Sequence, residues 1–192
     1  MAASRRGTDS AKNIIKDTIL EKLDVGTLLR NSFHTFRIVD LESSVGPNAF
    51  FTVQNIIDSL NLKFESQHAY STDSLEFQVF FNDHVDNDFN TLFKFFPEDK
   101  KYYAAAVPGS FHGRLFIGSQ RALELVPGGI MILITRCVPP NSLNMFEAFV
   151  NIMGNILVDM ANKVEKKLSS EFNILTDSRY KEMGELFIIK RN

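Results

Sequence analysis

The chain is predicted to be an α/β protein, because three apolar, β-branched or aromatic runs each end abruptly in a polar turn. They are FRIVDLESSVGPN at 36–48, LEFQVFFND at 75–83 and VPGSFHGRLF at 107–116. Runs of this kind read as buried parallel strands that feed a loop and a helix. Sheets so built bind ligands beyond the carboxyl ends of their strands. The order of the three segments suggests a nucleoside-type cofactor pocket there.

Each element follows from local pattern. Asp9 or Ser10 can cap a first helix, whose apolar residues Ala11, Ile14, Ile15, Ile19, Leu20 and Leu23 fall on one stripe expected to pack across a sheet edge. The first strand is Phe36 to Leu41, and a helix opens near Asn48 with Ala49, Val53, Ile56, Ile57 and Leu60 at helical spacing. Lys63 to Ser74 is polar and aperiodic and reads as a loop before a second strand, Glu76 to Phe81. A short helix follows around Asp88 to Phe95, then an extended run from Tyr102 to Val107, which Pro108-Gly109-Ser110 turns. Arg121 to Leu125 reads as the end of a helix leading into Pro127-Gly128-Gly129, and Ile130 to Thr135 is a β-prone fourth strand. A long amphipathic pattern runs through Phe146, Phe149, Val150, Met153, Leu157, Met160, Val164 and Leu168. The chain closes on a strand, Glu185 to Lys190. There is no internal repeat and no low-complexity tract.

Composition narrows the classes. With 192 residues, 44% of them hydrophobic, a single domain with a real core is expected across 1–192. The 21 basic and 23 acidic residues nearly balance, and no basic cluster exceeds Arg5-Arg6 and Lys166-Lys167, so nucleic acid is not an expected partner. Cys137 is the only cysteine, which excludes a disulfide framework and a cysteine-based zinc site and points to a reducing compartment. No apolar stretch has the length of a membrane span and the N-terminus lacks the core of a secretory signal, so no membrane partner is expected. The opening MAASRRGTDSAK has the flavour of a transit peptide, but it merges directly into a helix; cytoplasmic placement is expected. There is no Gly-x-Ser-x-Gly elbow, no P-loop and no His or Cys cluster at metal-ligand spacing.

The three segments, together with LVPGGIMILI at 125–134, resemble the SABATH family of plant methyltransferases, which move a methyl group from S-adenosylmethionine to a carboxylate or ring nitrogen of small metabolites. The resemblance runs from about Ile19 to Phe116, resumes from Ala122 to Val138, and returns more weakly in RYKEMGELFIIKRN. It implies a Rossmann-like sheet with helices on both faces, S-adenosylmethionine as methyl donor, and a small carboxylic acid or related metabolite as acceptor. It also implies a homodimer, or a heterodimer with a relative. The family's turn after the first strand, Asp-Leu-Gly-Cys-Ser-x-Gly-Pro-Asn, is here Asp40-Leu41-Glu42-Ser43-Ser44-Val45-Gly46-Pro47-Asn48. Asp40 is thereby a candidate partner of the polar cofactor tail, with Ser43 and Asn48 beside it. Asn48 equally suits a helix N-cap. Glu42 brings a side chain and a charge where the family has glycine, and is expected to weaken S-adenosylhomocysteine binding.

Asp83 stands where an acidic residue reads ribose hydroxyls, since one carboxylate can accept from both neighbouring OH groups, and His84 follows where the family has leucine. Ser110 and Phe111 match residues that contact adenine; by themselves they are a tight turn with an aromatic. Read alone, Asp83, Asp86 and Asp88 also fit a solvated acidic turn or a weak cation loop, although the glycine and terminal glutamate of an EF-hand are missing.

Other family parts have no counterpart. The amino-terminal Tyr, Asn-Ser and Gln motif is not found in Ser4 to Ala11. Between Gly118 and Ala122 the chain skips a core strand and the tryptophan-bearing substrate clamp, and it contains no tryptophan. After about Val138 most of the helical cap lacks a match, including the residues credited with a magnesium site, so that site is implied to be lost and no metal ligand is assigned. His112 and Tyr103 lie close in sequence but match no clamp residue, and no catalytic residue is assigned. Three readings result: a methyltransferase of this family, an inactive remnant that keeps part of the cofactor pocket or pairs with a full-length relative, and a nucleotide-binding module of another kind. Methyl transfer depends on positioning more than on a strong base, so little turnover of ordinary family substrates is expected from the isolated chain.

Overall fold

A computed structural model describes residues 2–30, 35–41, 43–67, 74–100, 102–109, 125–134, 172–176 and 186–191. Two compact units are formed, one from Ile15–Phe116 and one from Met1–Ile14 with Ile117–Asn192.

In the Ile15–Phe116 unit, β1 (Thr35–Leu41), β2 (Glu76–Asp83) and β3 (Tyr103–Pro108) make a parallel sheet in the order β1-β2-β3. Parallel neighbours require crossover connections, and α3 (Asn48–Gln67) supplies the first and α4 (Phe89–Phe93) part of the second. The strand alternation decides which face is buried. Phe36 and Ile38 of β1 and Phe77, Val79 and Phe81 of β2 share one face and are all buried. The alternate positions Arg37, Val39, Tyr103 and Val107 are exposed. Against the buried face α3 turns a stripe of Phe50, Val53, Ile57, Leu60 and Phe64, with the Phe50 ring edge-on to Phe81 at 5.0 Å.

Towards the carboxyl ends of the strands the core becomes aromatic. Phe81 also meets Phe93 of α4 at 6.1 Å, Phe50 meets Phe96, and Phe96 meets Tyr102 at 5.3 Å, all edge-to-face. Such pairs add about 0.5–1.5 kcal/mol each beyond area burial. They gather a half-buried to buried aromatic layer at the end of the sheet from which the turns after β1 and β2 leave. Burial there pushes the Tyr102 hydroxyl above its ordinary pKa, with Asp99 adding to the shift.

Helix α1 (Ala2–Lys22) buries Ile15 and Ile19, with Leu23 buried just past its end, and its last turn is tied to α3 where the Lys63 ammonium donates to the Leu20 carbonyl. A cation at a helix C-terminus satisfies an orphan carbonyl and complements the dipole. A short α2 (Val25–Arg30) follows, with Val25 fully buried.

Three expectations need correction here. The first helix begins at Ala2, so Asp9 and Ser10 lie inside it and do not cap it; with no proline in Ala2 to Ser10, and with Ala and Arg favouring helix, nothing stops the helix earlier. Lys63 to Gln67 is helix, not loop, because Phe64 continues the buried stripe one turn past Leu60 while Lys63 reaches α1. The second strand also runs on to Asp83.

The other unit holds an antiparallel sheet in the order β4-β6-β5, from β4 (Ile130–Ile134), β5 (Phe172–Thr176) and β6 (Leu186–Arg191). A tight turn leads into β4. The Gly128 N–H donates to the Arg191 carbonyl at 2.9 Å, the Gly129 N–H to the Val126 carbonyl at 2.8 Å, and the Arg191 guanidinium to the Leu125 carbonyl at 2.7 Å. Gly128 has φ 81°, and a Cβ on Gly129 would stand 2.9 Å from the Val126 carbonyl oxygen, so the turn requires both glycines. Strand β5 and helix α2 were not expected from the sequence. The helical pattern over 146–168 and the helix end at Arg121 lie outside the described residues.

Candidate functional site

The carboxyl ends of β1, β2 and β3 lie side by side, and the turns leaving them are stitched together. Asp40 is the register partner of Phe81, and Asp83 is two residues further along β2, so both carboxylates leave the same face. Asp40 is held over the aromatic layer, and burial, with the neighbouring Asp83 charge adding to it, pushes its pKa from 3.8 up to about 6.

Asp83 is occupied by the backbone on both sides. One carboxylate oxygen accepts the Ser44 N–H at 2.7 Å and the other the N–H of His84 at 2.7 Å. A carboxylate has about four lone-pair sites, so each oxygen can still accept from a ligand hydroxyl. The Ser44 contact fixes an unusual backbone: Ser44 has φ 56°, in the left-handed region that non-glycine residues rarely adopt. The Asn87 carboxamide donates to the Ser44 carbonyl at 3.3 Å, so the strained residue is gripped at both its N–H and its C=O.

Ser43 precedes it, buried, with its N–H donating to the Asn82 carbonyl at 3.2 Å and with no hydrogen-bond partner for its hydroxyl among the described residues. Asn48 is exposed at the first position of α3; the Pro47 carbonyl accepts the Phe51 N–H, which puts the cap at Pro47 rather than at Asn48. His84 is exposed just past β2. Asp88 caps α4 by accepting from the Thr91 N–H at 2.9 Å, and the Thr91 hydroxyl bond, with this backbone bond second, holds its pKa below the ordinary carboxylate value. Asp83, Asp86 and Asp88 do not converge: no group of three or more His, Cys, Asp or Glu side chains able to hold a metal is found among the described residues.

On the β3 side, the Gly109 N–H donates to the Asp83 carbonyl at 2.8 Å, and the Asn82 carboxamide donates to the Val107 carbonyl at 2.7 Å and more weakly to that of Gly109 at 3.4 Å. Asp40, Ser43, Asp83 and His84 are thus brought to one edge, with Asn48 at the helix start beside it. Ser110 and Phe111, which follow Gly109 directly, lie outside the described residues, as does Glu42. Asn82, Ser44 and Asn87 were not singled out from the sequence. The one available signal was an Asn directly after the apolar run Val79-Phe80-Phe81, which a buried position tolerates only if its amide finds partners.

An acidic pair on one face at the carboxyl edge of a parallel sheet has the chemistry to accept hydroxyl donors and positive charge. Comparison with known proteins gives the family. The sequence profile described as "SAM dependent carboxyl methyltransferase" matches residues 2–120. A "Probable S-adenosylmethionine-dependent methyltransferase" of Arabidopsis thaliana is 34% identical over 220 aligned positions, covering 80% of this chain and 61% of that protein. The "Loganic acid O-methyltransferase" of Catharanthus roseus is 44% identical over 109 residues, covering 56% of this chain and 28% of its own length. Among solved structures, "Loganic acid methyltransferase with SAH" matches with a TM-score of 0.59 at 27% identity, over 84% of this chain and 63% of that one. The chain therefore belongs to the S-adenosylmethionine-dependent carboxyl methyltransferase family and has its Rossmann-like α/β fold. It spans about three fifths of the length of the Arabidopsis relative. An alignment over 220 positions exceeds the 192 residues present, so that relative carries internal segments with no counterpart here.

Proposed function

We propose that this chain binds S-adenosylmethionine at the carboxyl edge of β1, β2 and β3 and serves methyl transfer to the carboxylate of a small plant acid. The observation that carries the reading is the pairing of Asp40 and Asp83 on one face, over an aromatic floor and beside the buried Ser43 hydroxyl. Asp83 receives the ribose hydroxyls with the lone pairs its backbone contacts leave, and Asp40 receives the charged tail. Ser43, Asn48 and His84 line the edge, and Ser110 and Phe111 meet the adenine. The donor supplies an activated methyl group: an acceptor oxygen attacks the methyl carbon while the carbon–sulfur bond breaks and its electrons stay on sulfur. The protein's part is to hold both partners in line, which needs no strong base.

The lone Cys137 favours a reducing, cytoplasmic setting, and no described helix is long and apolar enough to cross a membrane. Pairing of two copies, or with a full-length relative, and loss of the family's magnesium site belong to the same reading. Its test combines thermal shift by S-adenosylhomocysteine with product analysis from radiolabelled methyl donor across a panel of small acids. Acceptor-dependent methyl ester is the expected product. Stabilisation without ester under any acceptor would leave a cofactor-binding remnant, and absence of stabilisation would contradict the reading.

A further inference from the structure

Asn82, at the end of β2, ties the turns on either side of it together, by its backbone carbonyl on the β1 side and by its carboxamide on the β3 side. Asn82 is buried, and its neighbours are backbone. Its carbonyl accepts the Ser43 N–H from the β1 turn, while its carboxamide nitrogen donates to the Val107 and Gly109 carbonyls of the β3 turn. The reason a side chain is needed there lies in β3. Pro108 is the last residue of that strand and the register partner of Asp83, and it has no N–H to give. The backbone ladder resumes only at Gly109, whose N–H reaches the Asp83 carbonyl. The carboxamide of Asn82 fills the interval, clamping the carbonyls on either side of the proline.

Its amide orientation is fixed by the same contacts. Turning the oxygen toward Val107 would set acceptor against acceptor, so nitrogen faces the two carbonyls and the buried Oδ1 is left without a partner among the described residues. A site that accepts one buried unsatisfied oxygen in order to hold two carbonyls is paying for geometry. The geometry in question is that of the β3 turn from Val107 to Gly109, laid against the Asp83 end of β2.

We propose that Asn82 is a positioning residue for cofactor binding: its carboxamide fixes the β3 turn from Val107 to Gly109 against the end of β2, while its backbone carbonyl and the Asp83 carboxylate hold Ser43 and Ser44 of the β1 turn in register with it. The proposal rests on the cofactor reading above. Asn82 touches no reacting group; it acts through the turns.

The test is calorimetric titration of the full chain with S-adenosylhomocysteine, for the wild type, Asn82→Ala and the near-isosteric Asn82→Asp, each with its melting temperature. Asn82→Ala is expected to weaken binding roughly tenfold, as for one lost hydrogen bond, with the stoichiometry unchanged. Asn82→Asp, which sets an oxygen against two carbonyl oxygens, should weaken it further. Hydrogen exchange at the Gly109 amide should quicken in both variants, an effect read without ligand. A reduced stoichiometry at unchanged affinity would show a merely structural residue and overturn the proposal. Unchanged affinity with unchanged Gly109 exchange would overturn it too. Failure of the wild type to bind would overturn the cofactor reading itself, and the proposal with it.

Discussion

Asp40 is the residue where fold and function pull against each other. Its carboxyl titrates near 6 in the folded chain against 3.8 ordinarily, so the charge is unfavourable where it stands. A group whose folded pKa is raised contributes stability that is complete below 3.8 and lost as pH rises through about 6. Asp40→Asn is therefore expected to raise the melting temperature at pH 7.5, with the gain shrinking toward pH 4, while weakening S-adenosylhomocysteine binding. Thermal melts across that pH range, paired with titrations, check both halves; a variant less stable at pH 7.5 would contradict the assignment. The glycines make a parallel case. A Cβ on Gly46 would meet nothing within 4 Å, so the fold does not require the glycine, whereas Gly129 has no such room. Gly46→Ala should change stability by less than ~0.5 kcal/mol yet weaken cofactor binding. Gly129→Ala should cost about 2 kcal/mol, measured by denaturant unfolding. A Gly46→Ala chain that binds as well as the wild type would show that no ligand approaches that turn.

At the scale of elements, the described sheet positions the site because the buried faces of β1 and β2 and the stripe of α3 are continuous apolar patterns. Phe64 is part of that stripe, one turn beyond where a polar loop was read. Phe64→Ala should cost about 3 kcal/mol in urea unfolding; a cost under 1 kcal/mol would show that the last turn of α3 is not packed. That misreading has a local cause. Lys63, Glu65, Ser66 and Gln67 outweigh one phenylalanine in composition, and their helical state is set by tertiary partners, Lys63 reaching α1 and Phe64 the core. Strands β1 and β2 were legible because their β-branched and aromatic runs are self-sufficient signals, β3 because Pro108-Gly109 stops its apolar run, and Asp40 and Asp83 because each stands where such a run stops. The grip on Ser44 by Asp83 and Asn87 was not, since a positive φ and a contact across 43 residues leave no mark in a single sequence. Asn82 was hidden for the same reason: its meaning depends on a proline in the neighbouring strand.

For the whole molecule, the expected effect is on rate. A relative aligned over 220 positions brings internal segments that a 192-residue chain does not have, and the segment read as missing near Gly118 to Ala122 is the one that orients the acceptor in the family. Well-oriented reactions gain effective molarities of ~10⁵ M or more, so turnover of salicylate-like, jasmonate-like or farnesoate-like acids by the isolated chain is expected at least ~100-fold below that of a full-length relative assayed beside it. Comparable turnover would mean that Tyr103, His112 or residues between Phe146 and Leu168 supply the orientation.

Donor binding is the claim on which the rest stands, and calorimetric titration of S-adenosylhomocysteine at pH 7.5 into the wild type and Asp83→Ala tests it most directly. Saturable one-to-one binding by the wild type is expected, with a loss of roughly tenfold or more in the variant, consistent with removal of a charged hydrogen-bond acceptor. A wild-type chain that folds but gives no binding heat, or a variant that binds with wild-type affinity, would contradict it.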